Sequence, residues 1–162
     1  MNYLTLIRWI NSEARSDEII LKHINEDNKN ELSFYGGKTF LMLGIIHGRS
    51  FNFAKELINM GIDLNQKDYA NRSAFDHFFL RYGLLRKESK DGSILLSGRA
   101  SMKNGKKNTC LSWTDKELEN FITLMIEKGA DLMQETTLSQ TALHRGLMLY
   151  KIGKYHLRTV QL

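Results

Sequence analysis

No proline occurs in the 162 residues, and there is one cysteine, Cys110. A lone thiol excludes any disulfide within the chain and fits a reducing compartment. The fold must therefore be held by burial and hydrogen bonding. No run of about 18 apolar residues is present, so no membrane-spanning helix is expected. The first ten residues, Met1-Asn-Tyr-Leu-Thr-Leu-Ile-Arg-Trp-Ile, are interrupted by Arg8. They lack the basic start and small-residue cleavage site of a secretory signal, and a cytoplasmic location is expected. A pervasive charge of one sign is also missing. The net charge of +5 is carried by Arg86, Lys87, Lys90, Arg99, Lys103, Lys106 and Lys107, set against Glu88 and Asp91. The rest of the chain is about neutral, so a basic patch is local.

What the chain does have is a phrase repeated with variations. Gly37-Lys-Thr39-Phe-Leu-Met-Leu-Gly44-Ile-Ile-His-Gly48 is followed by Leu57-Ile-Asn-Met-Gly61-Ile-Asp63-Leu-Asn65, then by Asn71-Arg-Ser73-Ala-Phe-Asp-His. Much later come Leu124-Met-Ile-Glu-Lys-Gly129-Ala-Asp131-Leu and Ser139-Gln-Thr141-Ala-Leu-His144. Thr39 and Ser73 stand 34 positions apart. A period near 33 residues predicts helix pairs stacked side by side, each burying its apolar face on its neighbour.

These phrases resemble the ankyrin repeat, whose consensus runs Gly-x-Thr-Pro-Leu-His-x-Ala-Ala-x-x-Gly-His and then Leu-Leu-x-x-Gly-Ala-Asp-Val-Asn. Thr141-Ala-Leu-His144 and Gly129-Ala-Asp131 match best. The consensus proline is replaced by Phe40, Ala74 and Ala142, and the small pair by Gly44-Ile45, Phe78-Phe79 and Gly146-Leu147. The resemblance covers residues ~36–82 and ~115–150, and the N-terminal segment by pattern only. It implies an all-α solenoid of about four helix-pair units.

The spacing places an N-terminal cap unit at 1–35. Leu4, Ile7 and Trp9-Ile10 mark its first helix over ~2–12, and Ser16 or Asp17 starts the second, with Ile19, Ile20, Leu21 and Ile24 on its buried side. A repeat follows at 36–70, with one helix from Thr39 to Gly48 and another over Phe51–Met60; Gly61 suits a left-handed helix terminus. A third unit spans 71–132. Its helical period breaks at ~84–113, where Lys, Ser, Gly and Asn dominate. Ser93–Ser97 has an apolar centre and Asn104-Gly105 is a hairpin signal, so this stretch reads as a β-hairpin-like insertion. A decayed repeat starting at Thr109-Cys-Leu is the rival reading. It leaves little room for two helices before Gly129. Thr114 and Glu117 form a capping box opening the next helix, with Leu118, Phe121, Ile122, Leu124, Met125 and Ile126 as its apolar positions. The last unit, 133–162, starts its helix at Thr141. Leu157, Val160 and Leu162 leave an apolar end, which suggests a chain that continues or a covered surface.

Chemistry-bearing constellations are scarce. His23, His47, His77 and His156 have no partner at metal spacing, so neither metal nor cofactor is expected. His144 belongs to the repeat motif, where it ties turns together. Cys110 has no base nearby in sequence to activate it. Asp76 and His77 are neighbours on a helix and do not face each other. Gly37-Lys38-Thr39 lacks the upstream glycine and strand of a phosphate loop. Phe75, Phe78 and Phe79 at helical spacing read as core. An enzyme with its residues in the insertion is a weaker reading, as is a regulatory fragment of a larger protein.

The resemblance therefore implies a non-enzymatic protein–protein interaction module. Ankyrin partners contact loop tips and the exposed side of each first helix. Carried over, the tips supply Gln66, Tyr69, Asn71, Met133, Gln134 and Ser139, and the first helices Met42, Ile46, His77, Arg81 and Arg145. The expected partner is another protein. The basic insertion offers a second docking element for an acidic protein, nucleic acid or anionic lipid, the last two less favoured because no aromatics are interleaved for base stacking. The Lys-, Asn- and Ile-rich, proline-free composition suggests an AT-rich genome. With the family resemblance, it raises delivery into a host cell as an alternative location.

Overall fold

Side-chain oxygens set the helix starts. In the computed structural model, which describes residues 2–12, 15–83, 86–88, 94–96 and 113–135, five of six helices have a cap that accepts a backbone N–H. Helix α1 spans Tyr3–Ile10 behind Asn2, α3 spans Phe40–His47 behind Thr39, and α4 spans Phe51–Asn59 behind Ser50. Helix α5, Ala74–Phe78, and α6, Asp115–Glu127, each start with a reciprocal capping box, Ser73 with Asp76 and Thr114 with Glu117. The short α2, Asp17–Leu21, follows Ser16, whose hydroxyl makes no cap bond. Gly48 and Gly61 end α3 and α4 at φ +72° and +74°, the left-handed conformation that glycine adopts without Cβ strain.

Packing arranges these helices in two rows. Helix α3 lies between α1 and α5, and α4 lies between α2 and α6, while α3 also packs on α4. The central α3 is consequently enclosed: Phe40, Leu41, Met42, Leu43, Gly44 and Ile45 are all buried. Gly44 matters sterically, because a Cβ there would meet the Phe53 ring at 2.7 Å. Glycine thus lets α4 approach α3 closely.

The third unit is closed by aromatic rings. Phe75 and Phe78 are core residues, as their spacing implied. Phe78 stacks on Phe121 at 4.7 Å, and Trp113 tilts against Phe121 at 5.1 Å. The Trp113 indole N–H donates to the Arg49 carbonyl at 2.8 Å. Helix α5 is shorter than its period suggests and passes into a single π-helical turn over Phe79–Gly83. After it, β1 (Arg86–Glu88) pairs antiparallel with β2 (Ile94–Leu96), with Lys87 opposite Leu95. The strand pair thus uses the apolar centre read from the sequence. The Asn104-Gly105 hairpin signal falls outside the described residues.

Two arginines tie neighbouring units at helix C-termini, where unpaired carbonyls attract a cation. The Arg49 guanidinium donates to Ile10 O at 3.1 Å, Arg15 O at 2.8 Å and Asp17 Oδ1 at 3.1 Å, and also to the carbonyls of Trp9 and Ser12. Arg81, on the π turn, donates to Ile46 O at 2.5 Å and lies over Gly48. Arg49 thereby fastens the second unit to the end of α1, and Arg81 fastens the third to the end of α3.

Candidate interaction surface at the loop tips

The loops joining one unit to the next are held by a ladder of asparagine amides. Asn30 Oδ1 accepts from the Asp63 N–H at 2.8 Å, across 33 positions of sequence. Asn65 Oδ1 accepts from the Asp131 N–H at 2.7 Å, across 66 positions. Asn65 also donates through Nδ2 to Gly129 O at 3.1 Å. The second rung skips twice the distance of the first, yet the loops it joins are adjacent. Asp63 and Asp131 play matching parts, each accepting from the N–H two residues on, that of Asn65 and Met133. Where a further asparagine would continue the ladder stands Met133, 62% exposed. The Gln134 side chain donates to Asn65 O at 2.9 Å, and Lys67 Nζ to Glu135 O at 2.6 Å.

Beyond the ladder, each loop closes on itself. In the first, Ser33 N–H donates to Lys38 O, Gly37 N–H to Ser33 O, and Lys38 N–H to Ser33 Oγ. In the second, Asp68 N–H donates to Arg72 O, while Asp68 Oδ1 accepts from the N–H groups of Ala70 and Arg72. Gly37 and Asn71 occupy matching left-handed positions, φ +63° and +56°. Asn tolerates that conformation better than most residues with a Cβ. The first loop has one residue more between its closing bonds than the second.

The tips carry aromatic rings into solvent. Phe34 is 75% exposed, Tyr35 86% and Tyr69 75%. Phe34 and Tyr35 meet edge to face at 5.2 Å. Tyr69 donates its N–H to Gly36 O at 2.9 Å, and its ring covers Gly37 so closely that a Cβ there would be 2.5 Å away. Tyr3 of α1 lies near this group: burial first, then Glu31 and Tyr69, push its phenol well above the ordinary tyrosine range.

Beneath Tyr69 is a buried polar cluster. Asp68 Oδ2 is 2.8 Å from His77 Nε2 and 3.8 Å from Lys38 Nζ. The His77 imidazole is held below its usual pKa chiefly by burial, with Lys38 and Arg72 adding to the effect and Asp68 opposing it. A neutral ring with Nε2–H donating to the carboxylate satisfies this geometry. His47, at the end of α3, is likewise lowered, by burial and then by Arg81 and Arg49.

The sequence-derived candidates separate accordingly. Tyr69 and Met133 are exposed at tips, Asn71 is exposed, and Gln66 and Gln134 are half-buried. Gln66 is turned to the Lys67 carbonyl. Ile46 and Arg81 are half-buried, with Arg81 committed to Ile46 O. Met42 and His77 are corrections. Met42 is 1% exposed because α1, α4 and α5 enclose α3, and His77 is 6% exposed and turned to Asp68. Neither can touch a partner in this fold. Ser139, Arg145, Lys90, Arg99, Lys103, Lys106 and Lys107 fall outside the described residues; Arg86 and Lys87 lie on β1. Phe34 and Tyr35 escaped the sequence reading. Their signal was two large rings in a polar turn beside Gly36-Gly37, where no apolar period could bury them.

No family model and no curated protein matches the sequence. Among solved structures, the chain is similar to the crystal structure of the ankyrin repeat domain of Bcl-3, described as a unique member of the IkappaB protein family. The TM-score is 0.51 at 14% identity, over 86% of this chain and 45% of that one. The chain has the ankyrin-repeat fold. It spans less than half the length of the Bcl-3 domain. In the ankyrin motif Thr-Pro-Leu-His, the histidine position is Met42 in one unit and Asp76 in the next, both buried. The position thus points inward here, which explains why Met42 is unavailable. Among the described residues no helix is long and apolar enough to cross a membrane.

Proposed function

We propose that this ankyrin-fold chain is a protein-interaction module whose primary contact surface is its loop tips. The observation that carries the reading is the exposure of Phe34, Tyr35 and Tyr69 on loops closed by their own hydrogen bonds. Aromatic rings exposed together are costly to leave in water and are favoured anchors at interfaces. Their loops are already ordered, so a partner would lose little conformational entropy in docking. Asn71, Gln66 and Met133 are secondary contacts in this reading, and the ankyrin resemblance adds Ser139 and Arg145 as candidates. No turnover is required of this surface.

The asparagine ladder supports one further organisational point. The direct bond between Asn65 and Asp131 supports the reading of 84–113 as an interruption of one unit. On that reading the units are 1–35, 36–70, 71–132 and 133–162. The interrupting stretch is the second docking element, through its lysines and arginines.

Affinity capture separates these readings. Intact chain is compared with Phe34→Ser/Tyr35→Ser/Tyr69→Ser, and with a chain whose residues 86–107 are replaced by a Gly-Ser linker. A protein held by intact chain and by the linker version, but lost by the triple variant at unchanged Tm, supports the tip surface. Loss with the linker alone moves the site to the basic insertion. Capture from a host-cell lysate but not from the source cell supports an exported effector. Equal retention of a directly bound partner by both altered chains would overturn the proposal.

A further inference from the structure

The Asp68–His77 cluster joins three separate pieces of chain. Asp68 and Arg72 come from the second loop, His77 from α5, and Lys38 from the first loop. Asp68 is the hub. One oxygen accepts the Ala70 and Arg72 N–H groups that fold the second loop, and the other faces His77 and Lys38. Its side chain is 1% exposed, and that of His77 is 6%. The neighbouring residue is Tyr69, which reaches back to Gly36 and covers Gly37. The cluster therefore lies under an aromatic tip and connects it to the adjacent one.

We propose that Asp68, His77 and Lys38 form an acid-sensitive latch that holds the Tyr69 tip against the first loop, and that protonation of His77 releases it. A second proton on the imidazole adds a cation to a buried site already holding the Lys38 ammonium, with the Arg72 guanidinium nearby. Among the described residues the carboxylate facing it is that of Asp68, whose other oxygen is occupied by backbone amides. Asp76, beside His77 on α5, is turned to the Ser73 N–H and hydroxyl. From α3, the titratable side chain is His47, which responds to Arg81 and Arg49. From α6, the side chain packed on α5 is Phe121. Burial penalises the imidazolium most, and the lowered pKa of His77 has that cause first. By linkage, acid favours whichever form hydrates the ring, which is the form with the latch open. Opening gives up the Tyr69–Gly36 bond and the cover over Gly37, so the two aromatic tips lose their fixed spacing. The consequence for partner binding rests on the loop-tip reading; the opening itself does not.

The test is amide hydrogen exchange by NMR at pH 7.0 and 5.0, corrected for intrinsic exchange rates, on wild type and His77→Gln. Gln places a neutral N–H donor near the Nε2 position but does not titrate. In wild type, protection at Tyr69, Ala70 and Arg72 should fall several-fold, up to a limit of about 25-fold set by an open-form histidine with its ordinary pKa near 6.5. Amides of α4 should change far less. In His77→Gln the tip amides should be insensitive to this pH change. Equal pH dependence in both chains would overturn the latch. If His77→Gln does not fold, the wild-type His77 Cε1–H titration serves instead. Its midpoint must coincide with the loss of tip protection; a tip that stays protected as His77 titrates refutes the proposal. Partner capture at the two pH values then separates the readings: tip opening without weaker binding contradicts the loop-tip function and leaves the latch standing.

Discussion

Arg49→Met removes a guanidinium that reaches five acceptors at the end of the first unit: the carbonyls of Trp9, Ile10, Ser12 and Arg15, and the Asp17 carboxylate. Methionine keeps most of the apolar stem, so the change isolates the polar head. A hydrogen bond to a charged group contributes about 1.5–3 kcal/mol, but five made by one group do not add, and water partly replaces those at the helix end. Asp17 is left with Ser50 as its remaining partner. A net cost of about 3 kcal/mol follows, near the lower end for breaking one side of a buried ion pair. The cost should fall on α1 and α2, because stacked units unfold with nearest-neighbour coupling. The two tryptophans make this measurable. Trp9 lies on α1 and Trp113 packs on Phe121 of α6. Urea unfolding by fluorescence would be compared with and without Arg49→Met in two backgrounds, Trp9→Phe and Trp113→Phe. With m of ~1–3 kcal/mol/M, the Trp9 transition should move to lower urea by about 1 M or more, ahead of the Trp113 transition. Coincident transitions shifted by less than about 0.3 M would refute both the magnitude and the localisation, taking extrapolation error into account.

Asn65→Ala deletes the bonds to Asp131 and Gly129 and should cost about 1–2 kcal/mol, against about 1 kcal/mol for Asn30→Ala, which deletes the bond to Asp63; equal, negligible losses on denaturation would remove the ladder as a coupling element. Gly48→Ala places a Cβ at φ +72° and 2.3 Å from Arg81 Nη2, and should lower Tm by roughly 2–8 °C for a loss of about 1–2 kcal/mol. Trp113→Ala empties an aromatic site and removes the donor to Arg49 O, for about 3–5 kcal/mol by chemical denaturation. Stability should also fall as pH drops below about 6.5, where an unfolded histidine takes up a proton that folded His77 resists. Above that range neither state is protonated and the term vanishes, and His77→Gln should remove this part of the Tm-versus-pH slope.

Local signals carried much of the fold. Thr114 and Glu117 announced the start of α6, and Gly48 and Gly61 announced the ends of α3 and α4, because caps depend on residues within a few positions of each other. Helix α4 followed its period closely, since Phe53, Leu57 and Ile58 face one side and Asn52 and Lys55 the other. The surface was less legible. Met42 lies on a first helix, but α3 has neighbours on several sides and its apolar sequence does not say which side stays open. His77 is withdrawn from the surface by Asp68, nine positions earlier, which no local signal announces. A polar turn offers no periodicity from which to infer the exposure of Phe34 and Tyr35.

The sequence by itself determined the repeat, the caps, the helix ends and the placement of apolar residues that makes helices stack. Those are short-range properties, governed by turn geometry and by the spacing of side chains along one helix. Only the tertiary structure decided which loops became neighbours across a 66-residue gap, which arginine capped which helix, and which rings were left in water. Each of those outcomes depends on residues far apart in sequence meeting in space, and exposure is settled only when every neighbour has taken its place.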